Sequence, residues 1–261
     1  MTLEDLGYTA TLEAFRVEQN LDSFEVGRVI SEHKERYVVK TATEEFDSEL
    51  IGNLRFTAES RHDFPAVGDW VAISEYDEHK ALIHAIYPRH SMIERQAVGK
   101  HGQKQIIATN IDYGLLVQAV DRDFNVNRLE RYLTICYTSN VKPIIILSKM
   151  DLITESELET ILNTVKERIK DVPIVTVSNQ KDDGYAGVMS HIEKGKTYCL
   201  LGSSGVGKST LLNNISGREV MDTGSISSST SKGRHVTSHR GLVVLENGGI
   251  LIDNPGMREV G

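Results

Sequence analysis

Residues 197–216 read TYCLLGSSGVGKSTLLNNIS, and this stretch decides the fold. Its centre, GSSGVGKS at 202–209, matches G-x-x-x-x-G-K-[ST], a pattern whose glycines let backbone N–H groups turn inward around phosphate oxygens. The apolar run before it predicts a buried strand, and TLLNNIS predicts a helix with a positive N-terminus. The sequence therefore predicts a strand, a phosphate-binding loop and a helix within an α/β domain.

The residue types in this loop indicate how it would hold a nucleoside triphosphate. Lys208 is expected to reach the β- and γ-phosphates and to act in catalysis, and Ser209 is expected to ligate Mg²⁺. The full set expected to contact the nucleotide is Gly202, Ser203, Ser204, Gly205, Val206, Gly207, Lys208, Ser209 and Thr210. The motif alone does not distinguish ATP from GTP.

The choice of base is indicated by SKMD at 148–151, which comes at the end of the apolar run KPIIIL. It resembles the guanine-reading [N/T]-K-x-D motif of GTPases. Asp151 would accept two N–H groups of guanine, and such charge-assisted hydrogen bonds are worth roughly 1.5–3 kcal/mol each. The stem of Lys149 would cover the base. Ser148 replaces the usual asparagine that ties this loop to the phosphate loop, so we expect one such bond and either weaker affinity or a looser loop.

Two more strand ends carry short motifs of the same kind. VPIVTVSNQ places Ser178 and Asn179 at a strand end, and it resembles the GTPase loop whose backbone N–H contacts the guanine carbonyl. DNPG at 253–256 follows the apolar run GGILI and resembles D-x-x-G. By that resemblance, Asp253 would hold Mg²⁺ through water, and the N–H of Gly256 would meet the γ-phosphate.

A serine-rich segment with loop composition separates the phosphate loop from DNPG. It contains GRHVTS at 233–238. A threonine in such a segment can close over Mg²⁺ once the γ-phosphate is bound, as a switch loop does. Thr237 is the expected residue and Ser238 the competing one. His235 or Arg234 would help to position the switch, although both could equally be solvated loop residues.

The remaining pattern divides the chain into four parts. Residues 1–23 form a short helical or loose lead-in, and 24–95 contain closely spaced strands with polar turns, typical of a five-stranded all-β barrel of the OB type. QAVGKHGQKQ at 96–105 is expected to be a linker. Strands and helices alternate over 106–261, which predicts a mostly parallel α/β sheet with helices on both faces. Thr154 and Glu157 form a predicted capping box for a helix at about 155–170.

Composition limits the classes of function. The chain has a net charge of −8, with 39% hydrophobic and 25% charged residues, which is typical of a globular protein and excludes a basic surface over the whole molecule. The two cysteines, Cys136 and Cys199, are expected to be buried, reduced thiols, and they are too few for a cysteine-rich zinc site. With neither a signal peptide nor an apolar run long enough for a membrane span, a cytoplasmic protein is expected.

The motifs occur in a permuted order. In ordinary GTPases the phosphate loop comes first and the base-reading loops come last, whereas here 148–151 and 178–179 precede 202–209, followed by Thr237 and 253–256. A doubly wound sheet tolerates such a permutation because the loops still converge at the strand C-ends. A permuted P-loop GTPase domain behind an OB-like barrel, with GRHVTSHR near the switch, resembles the ribosome small-subunit-dependent GTPase A family.

That resemblance implies a cytoplasmic assembly factor, expected to be monomeric, that binds GTP or GDP with Mg²⁺ and whose hydrolysis is stimulated by the small ribosomal subunit. It also implies that the barrel contributes to rRNA contact. Basic candidates in the barrel region are Arg28, Lys34, Arg36 and Arg55, although scattered surface charges would explain each of them equally. Met257 follows DNPG where a water-orienting glutamine would otherwise stand, so the isolated site should be slow. The family usually carries a C-terminal zinc domain, and no such cysteine cluster is present in this sequence.

Two other functions are compatible with parts of the sequence. LLGSSGVGKSTLLN also resembles the loop of a transporter ATPase, but the LSGGQ-like signature and acidic Walker-B pair that such a protein needs downstream are not present. An RNA-binding, GTP-dependent switch with negligible turnover remains the alternative to a GTPase.

Overall fold

A computed structural model describes residues 1–33, 35–96, 104–121, 124–178, 184–217 and 241–253. These residues form a closed barrel, a two-stranded hairpin and a six-stranded sheet. The barrel occupies the first third of the chain, and the sheet carries the loops predicted to bind nucleotide.

The barrel has the five strands predicted from the spacing of short apolar segments. They are β1 (Glu25–His33), β2 (Arg36–Lys40), β3 (Glu45–Leu50), β4 (Trp70–Asp77) and β5 (Lys80–Ile86). Their order is β1-β2-β3-β5-β4, with β4 closing on β1, and only β3 and β5 pair in parallel. Alternation in β3 buries Phe46 and Ser48 and exposes Glu45, Asp47 and Glu49, as a barrel wall requires. The prediction of an OB-type barrel is confirmed.

The lead-in is helical and packs on the barrel. Its helix α1 (Ala10–Glu18) is capped by Thr9, whose side chain accepts a hydrogen bond from the backbone N–H of Leu12. Leu6 and Leu12 are buried in an apolar cluster that includes Trp70 of β4. The lead-in therefore belongs to the packed core. A second helix, α2 (Gly52–Thr57), connects β3 with β4 and was not indicated by the sequence pattern.

The predicted linker contributes its two ends to an antiparallel hairpin. Strand β6 (Met92–Gln96) pairs with β7 (Lys104–Thr109), and the last pair is Gln96 with Lys104. The first two residues of β7 are polar and exposed, which explains why the segment showed no strand periodicity. Residues 97–103 of the predicted linker lie outside the described part of the chain.

The sheet is mostly parallel, as predicted. Its strands are β8 (Tyr113–Ala119), β9 (Lys142–Ser148), β10 (Ile174–Thr176), β11 (Thr197–Leu201), β12 (Gly241–Val244) and β13 (Ile250–Asp253). They lie in the order β10-β9-β8-β11-β13-β12, and only the edge strand β12 runs antiparallel. β8 and β11 are almost wholly buried, which explains their continuous apolar runs.

Helices cover both faces of this sheet. They are α3 (Val126–Thr138), α4 (Glu155–Arg168), α5 (Ala186–Met189) and α6 (Lys208–Ser216). One apolar cluster joins Leu116 to residues of α3 and α4, and a second joins Leu115 and Val117 to residues of α5 and α6. The predicted capping box of α4 is present between Thr154 and Glu157.

A buried arginine joins the lead-in, the barrel and the sheet. Arg28 of β1 is 1% exposed. Its guanidinium donates to the carbonyl oxygens of Leu6, Gly68 and Asn110 and to the hydroxyl of Thr197, at 2.6–3.1 Å. The expectation that Arg28 is a candidate for RNA contact is therefore wrong, because the side chain is enclosed and its donors are used inside the molecule.

A buried carboxylate makes a second connection at the same junction. Asp69 is fully buried and accepts two hydrogen bonds from Arg89, at 2.6 and 2.8 Å. It also accepts one from the hydroxyl of Thr109, which ends β7, at 2.6 Å. Polar groups as well as apolar contacts therefore hold the barrel against the elements that follow it.

The two thiols lie inside the sheet domain, as predicted. Cys136 of α3 and Cys199 of β11 are free and buried, and burial raises the pKa of Cys136 to about 12. Such thiols are unreactive because the thiolate is the reactive form. Within the described ranges, no helix has the length and apolar content needed to cross a bilayer.

Candidate nucleotide-binding site

The five parallel strands of the sheet end at one edge, and the predicted motifs follow them there. SKMD begins on β9, Ser178 follows β10, GSSGVGKS follows β11, and DNPG begins at the last residue of β13. Because β11 lies between β8 and β13, the phosphate loop is central in this arrangement. The carboxyl edge of such a sheet is where α/β proteins bind their ligands.

The phosphate loop has a backbone that requires glycine. A Cβ atom on Gly202 would lie 2.4 Å from the carbonyl oxygen of Val117, so no side chain fits between this loop and β8. Gly205 and Gly207 have φ angles of +77° and +97°, in the left-handed region that favours glycine. Helix α6 then begins at Lys208, so its N-terminus, the positive end of the helix dipole, lies at the end of this loop.

Lys208 is folded into this loop. The side chain is buried, and its ammonium group donates to the carbonyl oxygens of Gly202 and Ser203. The positive charge therefore lies inside the turn that the sequence predicted to wrap phosphate.

A hydrogen bond joins the SKMD loop to the phosphate loop. The hydroxyl of Ser148, which ends β9, donates to the carbonyl oxygen of Val206 at 2.6 Å. This is the single bond expected of a serine in place of asparagine. The next residue, Lys149, has a left-handed backbone (φ +62°), and its ammonium group lies 3.0 Å from the carboxylate of Asp121. The stem of Lys149 is thereby held at the edge of the loop.

Asp151 and Ser178 meet beside this loop. The hydroxyl of Ser178 donates to a carboxylate oxygen of Asp151 at 3.3 Å, and the N–H of Met150 donates to the carbonyl of Val177 at 3.4 Å. Asp151 is exposed, so its carboxylate is accessible to a ligand. Burial, with a smaller contribution from the charge of Asp151, raises the pKa of Tyr185, which places that ring near the same carboxylate.

Several predicted site residues lie outside the described part of the chain: Asn179, Arg234, His235, Thr237, Ser238, Gly256 and Met257. The backbone of Asp253 is described, and it pairs with Gly241 at the carboxyl edge of the sheet. The two strands that flank the predicted switch and DNPG segments therefore reach the same edge as the phosphate loop.

Sequence reasoning missed three residues at this site. Asp121 directly follows the apolar run of β8, and a carboxylate at a strand end was the available signal. For Tyr185 the sequence offered no such signal. Tyr132 lies on an amphipathic helix, and its position there predicts a core residue. Its hydroxyl nevertheless lies 3.3 Å from the hydroxyl of Ser203 in the phosphate loop.

The described residues contain no group of three or more His, Cys, Asp or Glu side chains that could hold a metal ion. A magnesium site of the predicted kind does not need one, since Mg²⁺ at nucleotide sites is held by one or two protein ligands together with phosphate oxygens and water. The hydroxyl of Ser209, in the first turn of α6, fits that role.

A barrel followed by a doubly wound sheet, with the base-reading loop before the phosphate loop, defines a circularly permuted P-loop GTPase. Residues 86–261 match the family model described as RsgA GTPase. The chain belongs to that family.

Two relatives agree with this placement. The chain is 41% identical over 254 residues to "Small ribosomal subunit biogenesis GTPase RsgA 2" of Lactiplantibacillus plantarum, covering 97% of this chain and 71% of the relative. It is 38% identical over 274 residues to "Small ribosomal subunit biogenesis GTPase RsgA" of Opitutus terrae, covering 100% and 73%.

The fold is similar to those of two crystal structures. YjeQ from Thermotoga maritima matches with a TM-score of 0.68 at 24% identity, over 91% of this chain and 76% of that one. YloQ, titled a circularly permuted GTPase, matches with a TM-score of 0.63 at 24% identity, over 89% and 71%.

Proposed function

We propose that this chain binds GTP with Mg²⁺, hydrolyses it to GDP and phosphate, and acts in the biogenesis of the small ribosomal subunit. The observation that carries the proposal is the hydrogen bond from Ser148 to Val206, which fixes the base-reading loop against the phosphate loop. One nucleotide can then contact both. The names of the L. plantarum and O. terrae relatives support the cellular role.

Guanine preference follows from Asp151. Its exposed carboxylate can accept two N–H groups from the guanine edge, whereas adenine offers no such pair. Ser178 donates to one oxygen of this carboxylate and so fixes its orientation. Lys149, whose ammonium group is held by Asp121, lays its apolar stem along the base.

The phosphates and the metal ion would be bound at the other end of the site. The residues 202–210 wrap the phosphates, with Lys208 on the β- and γ-phosphates, and Ser209 ligates Mg²⁺. By the resemblance, Asp253 through water and Thr237 would complete the metal site, the N–H of Gly256 would contact the γ-phosphate, and the backbone N–H of Ser178 or Asn179 would contact the guanine carbonyl. The metal ion would neutralise charge that develops on the β- and γ-phosphate oxygens.

Turnover by the isolated chain should be slow, because Met257 offers no group to orient the attacking water. A partner that supplies the missing groups raises such rates by roughly 10³–10⁵. We propose that this partner is the small ribosomal subunit, contacted in the cytoplasm by a monomer and partly through rRNA. Arg36 and Arg55 of the barrel have exposed side chains and remain candidates for that contact.

The first test is binding of GTP and ATP side by side, with Asp151→Asn as the variant. An asparagine amide offers a donor where the carboxylate accepted, so we expect a preference for xanthine over guanine nucleotides. Asp171→Asn is the matched control, since Asp171 is exposed, lies outside the site and has a left-handed backbone that asparagine tolerates. Unchanged GTP affinity in Asp151→Asn would show that this residue does not read the base.

The second test is GTP turnover with and without purified small ribosomal subunits. We expect stimulation in the wild-type chain and none in Lys208→Ala, which should lose nucleotide binding or turnover. A rate that the subunits do not change, in a chain that binds GTP tightly, would favour the switch with negligible turnover.

A further inference from the structure

Tyr132 is a buried polar residue that the proposed chemistry does not use. It lies on α3, is 2% exposed, and belongs to the apolar cluster on that face of the sheet. Its hydroxyl lies 3.3 Å from the hydroxyl of Ser203. A buried tyrosine hydroxyl needs a hydrogen-bond partner, and here the partner is in the phosphate loop.

Ser203 is bound at both of its polar ends. Its hydroxyl lies 3.3 Å from the hydroxyl of Tyr132, and its carbonyl oxygen accepts a hydrogen bond from the ammonium group of Lys208. The preceding residue, Gly202, lies so close to β8 that a Cβ atom on it would be 2.4 Å from the carbonyl oxygen of Val117. The orientation of the Ser203 peptide therefore depends on Tyr132 and in turn affects where the Lys208 ammonium group is held.

The phosphate loop is thus fixed from two sides by different elements. Ser148 at the end of β9 holds Val206, and Tyr132 of α3 holds Ser203. The two contacts lie on either side of Gly205, whose left-handed backbone has open space around it. A loop held at both sides needs less ordering when it binds phosphate, and preorganisation of that kind raises affinity.

We infer that Tyr132 is a positioning residue for the phosphate loop, acting on bound nucleotide through the hydroxyl of Ser203 and the ammonium group of Lys208. The inference rests on the proposed function, since it assumes that this loop binds a nucleoside triphosphate. It concerns the phosphates and not the base, so it predicts weaker binding without a change in base preference.

The test is a double-mutant cycle of Tyr132→Phe and Ser203→Ala, read out as nucleotide dissociation constants. One net hydrogen bond corresponds to a change of roughly two- to tenfold in an equilibrium constant. We expect each single variant to weaken GTP binding by that factor and the double variant to weaken it no further. The ratio of GTP to ATP affinity should stay as in the wild type.

The matched control is Tyr198→Phe. Tyr198 is also a fully buried tyrosine of the sheet domain, and its hydroxyl is bonded to the backbone of His191 and Glu193, at the opposite end of β11 from the loop. We expect this variant to lose stability in thermal unfolding while it keeps the wild-type dissociation constant. If Tyr132 only filled the core, Tyr132→Phe would likewise lose stability and keep the wild-type dissociation constant.

Three results would overturn the inference: unchanged affinity in Tyr132→Phe, additive losses in the double variant, or an equal loss in Tyr198→Phe. Failure of the proposed function looks different, because the wild-type chain would then prefer ATP or another triphosphate. The cycle is then run with the preferred nucleotide and still decides the role of Tyr132, since the loop contacts phosphates of either base.

Discussion

At the scale of single residues, Ser148 is where this chain departs from the usual base-reading motif, and the structure shows what the serine does. Its hydroxyl is buried and donates to Val206 at 2.6 Å. Ser148→Ala would leave that carbonyl without this donor, and we expect GTP affinity to fall roughly two- to tenfold because one net hydrogen bond is lost. Titration of the purified variant with a fluorescent guanine nucleotide measures the change.

Ser148→Thr is the control, because threonine keeps the hydroxyl and also occurs at this position of the motif. It should bind GTP within about twofold of the wild type, because the hydroxyl that donates to Val206 is kept. If Ser148→Ala binds as tightly as Ser148→Thr, the connection between the two loops contributes nothing to affinity.

The sequence predicted those parts of the candidate site in which the chemistry requires one particular residue type. The glycines and Lys208 of the phosphate loop fall in this class, because backbone turns of positive φ and phosphate charge demand them. Tyr132 and Asp121 do not, since a tyrosine in an amphipathic helix and an aspartate after a strand have many possible partners. Only the packing of α3 and the ends of β8 and β9 decides that they meet the site.

At the scale of elements, local sequence predicted helix α4 because its N-terminal signal is made within four residues. The hydroxyl of Thr154 accepts from the N–H of Glu157, and the carboxylate of Glu157 accepts from the N–H of Thr154 at 2.8 Å. The predicted linker 96–105 includes the end of β6 and the start of β7, because Gln96, Lys104 and Gln105 are polar and show no apolar alternation.

The capping box gives an element-scale prediction for Thr154→Ala. Loss of the cap should lower the free energy of unfolding by about 1 kcal/mol at neutral pH. The hydrogen bonds from the backbone and hydroxyl of Thr154 hold the pKa of Glu157 below its ordinary value of 4.5. A carboxyl group with a lowered pKa in the folded state stabilises the protein above its unfolded pKa, and that contribution is lost as pH falls through the folded pKa.

The difference in the free energy of unfolding between Thr154→Ala and the wild type should therefore be largest at pH 7 and become smaller below about pH 4.5. Urea unfolding at the two pH values measures it. Thr160→Ala in the exposed middle of α4 is the control, because its hydroxyl bonds only back along the helix to Ser156 among the contacts described. A penalty for Thr154→Ala that does not change with pH would mean that the hydroxyl of Thr154 does not stabilise the Glu157 carboxylate.

At the scale of the whole molecule, the feature that sequence could not reveal is how the barrel and the sheet are joined. Arg28 reads as one of several surface charges on a strand, but its acceptors come from positions 6, 68, 110 and 197. No local window contains that information. Burial lowers the pKa of the Arg28 guanidinium to about 10, so the charge costs free energy there and is stabilised by its hydrogen bonds.

Arg28→Lys should therefore separate the unfolding of the two parts. Lysine keeps the charge but not the planar fork that reaches four acceptors in different directions, so buried carbonyls lose their donors. We expect the free energy of unfolding to fall by about 3 kcal/mol or more in Arg28→Lys. Trp70, the single tryptophan, has its ring 5.5 Å from the Arg28 guanidinium, so its fluorescence follows the junction, while circular dichroism follows helices that lie mostly in the sheet domain.

In the wild-type chain these two signals should change together on heating, as expected of one cooperative unit. In Arg28→Lys the fluorescence transition should come first. Arg36→Lys is the matched control, since that arginine lies on the next strand with a side chain that is 72% exposed. Its free energy of unfolding should stay within about 0.5 kcal/mol of the wild type. Coincident transitions of unchanged midpoint in Arg28→Lys would show that apolar packing, and not this arginine, holds the barrel on the sheet.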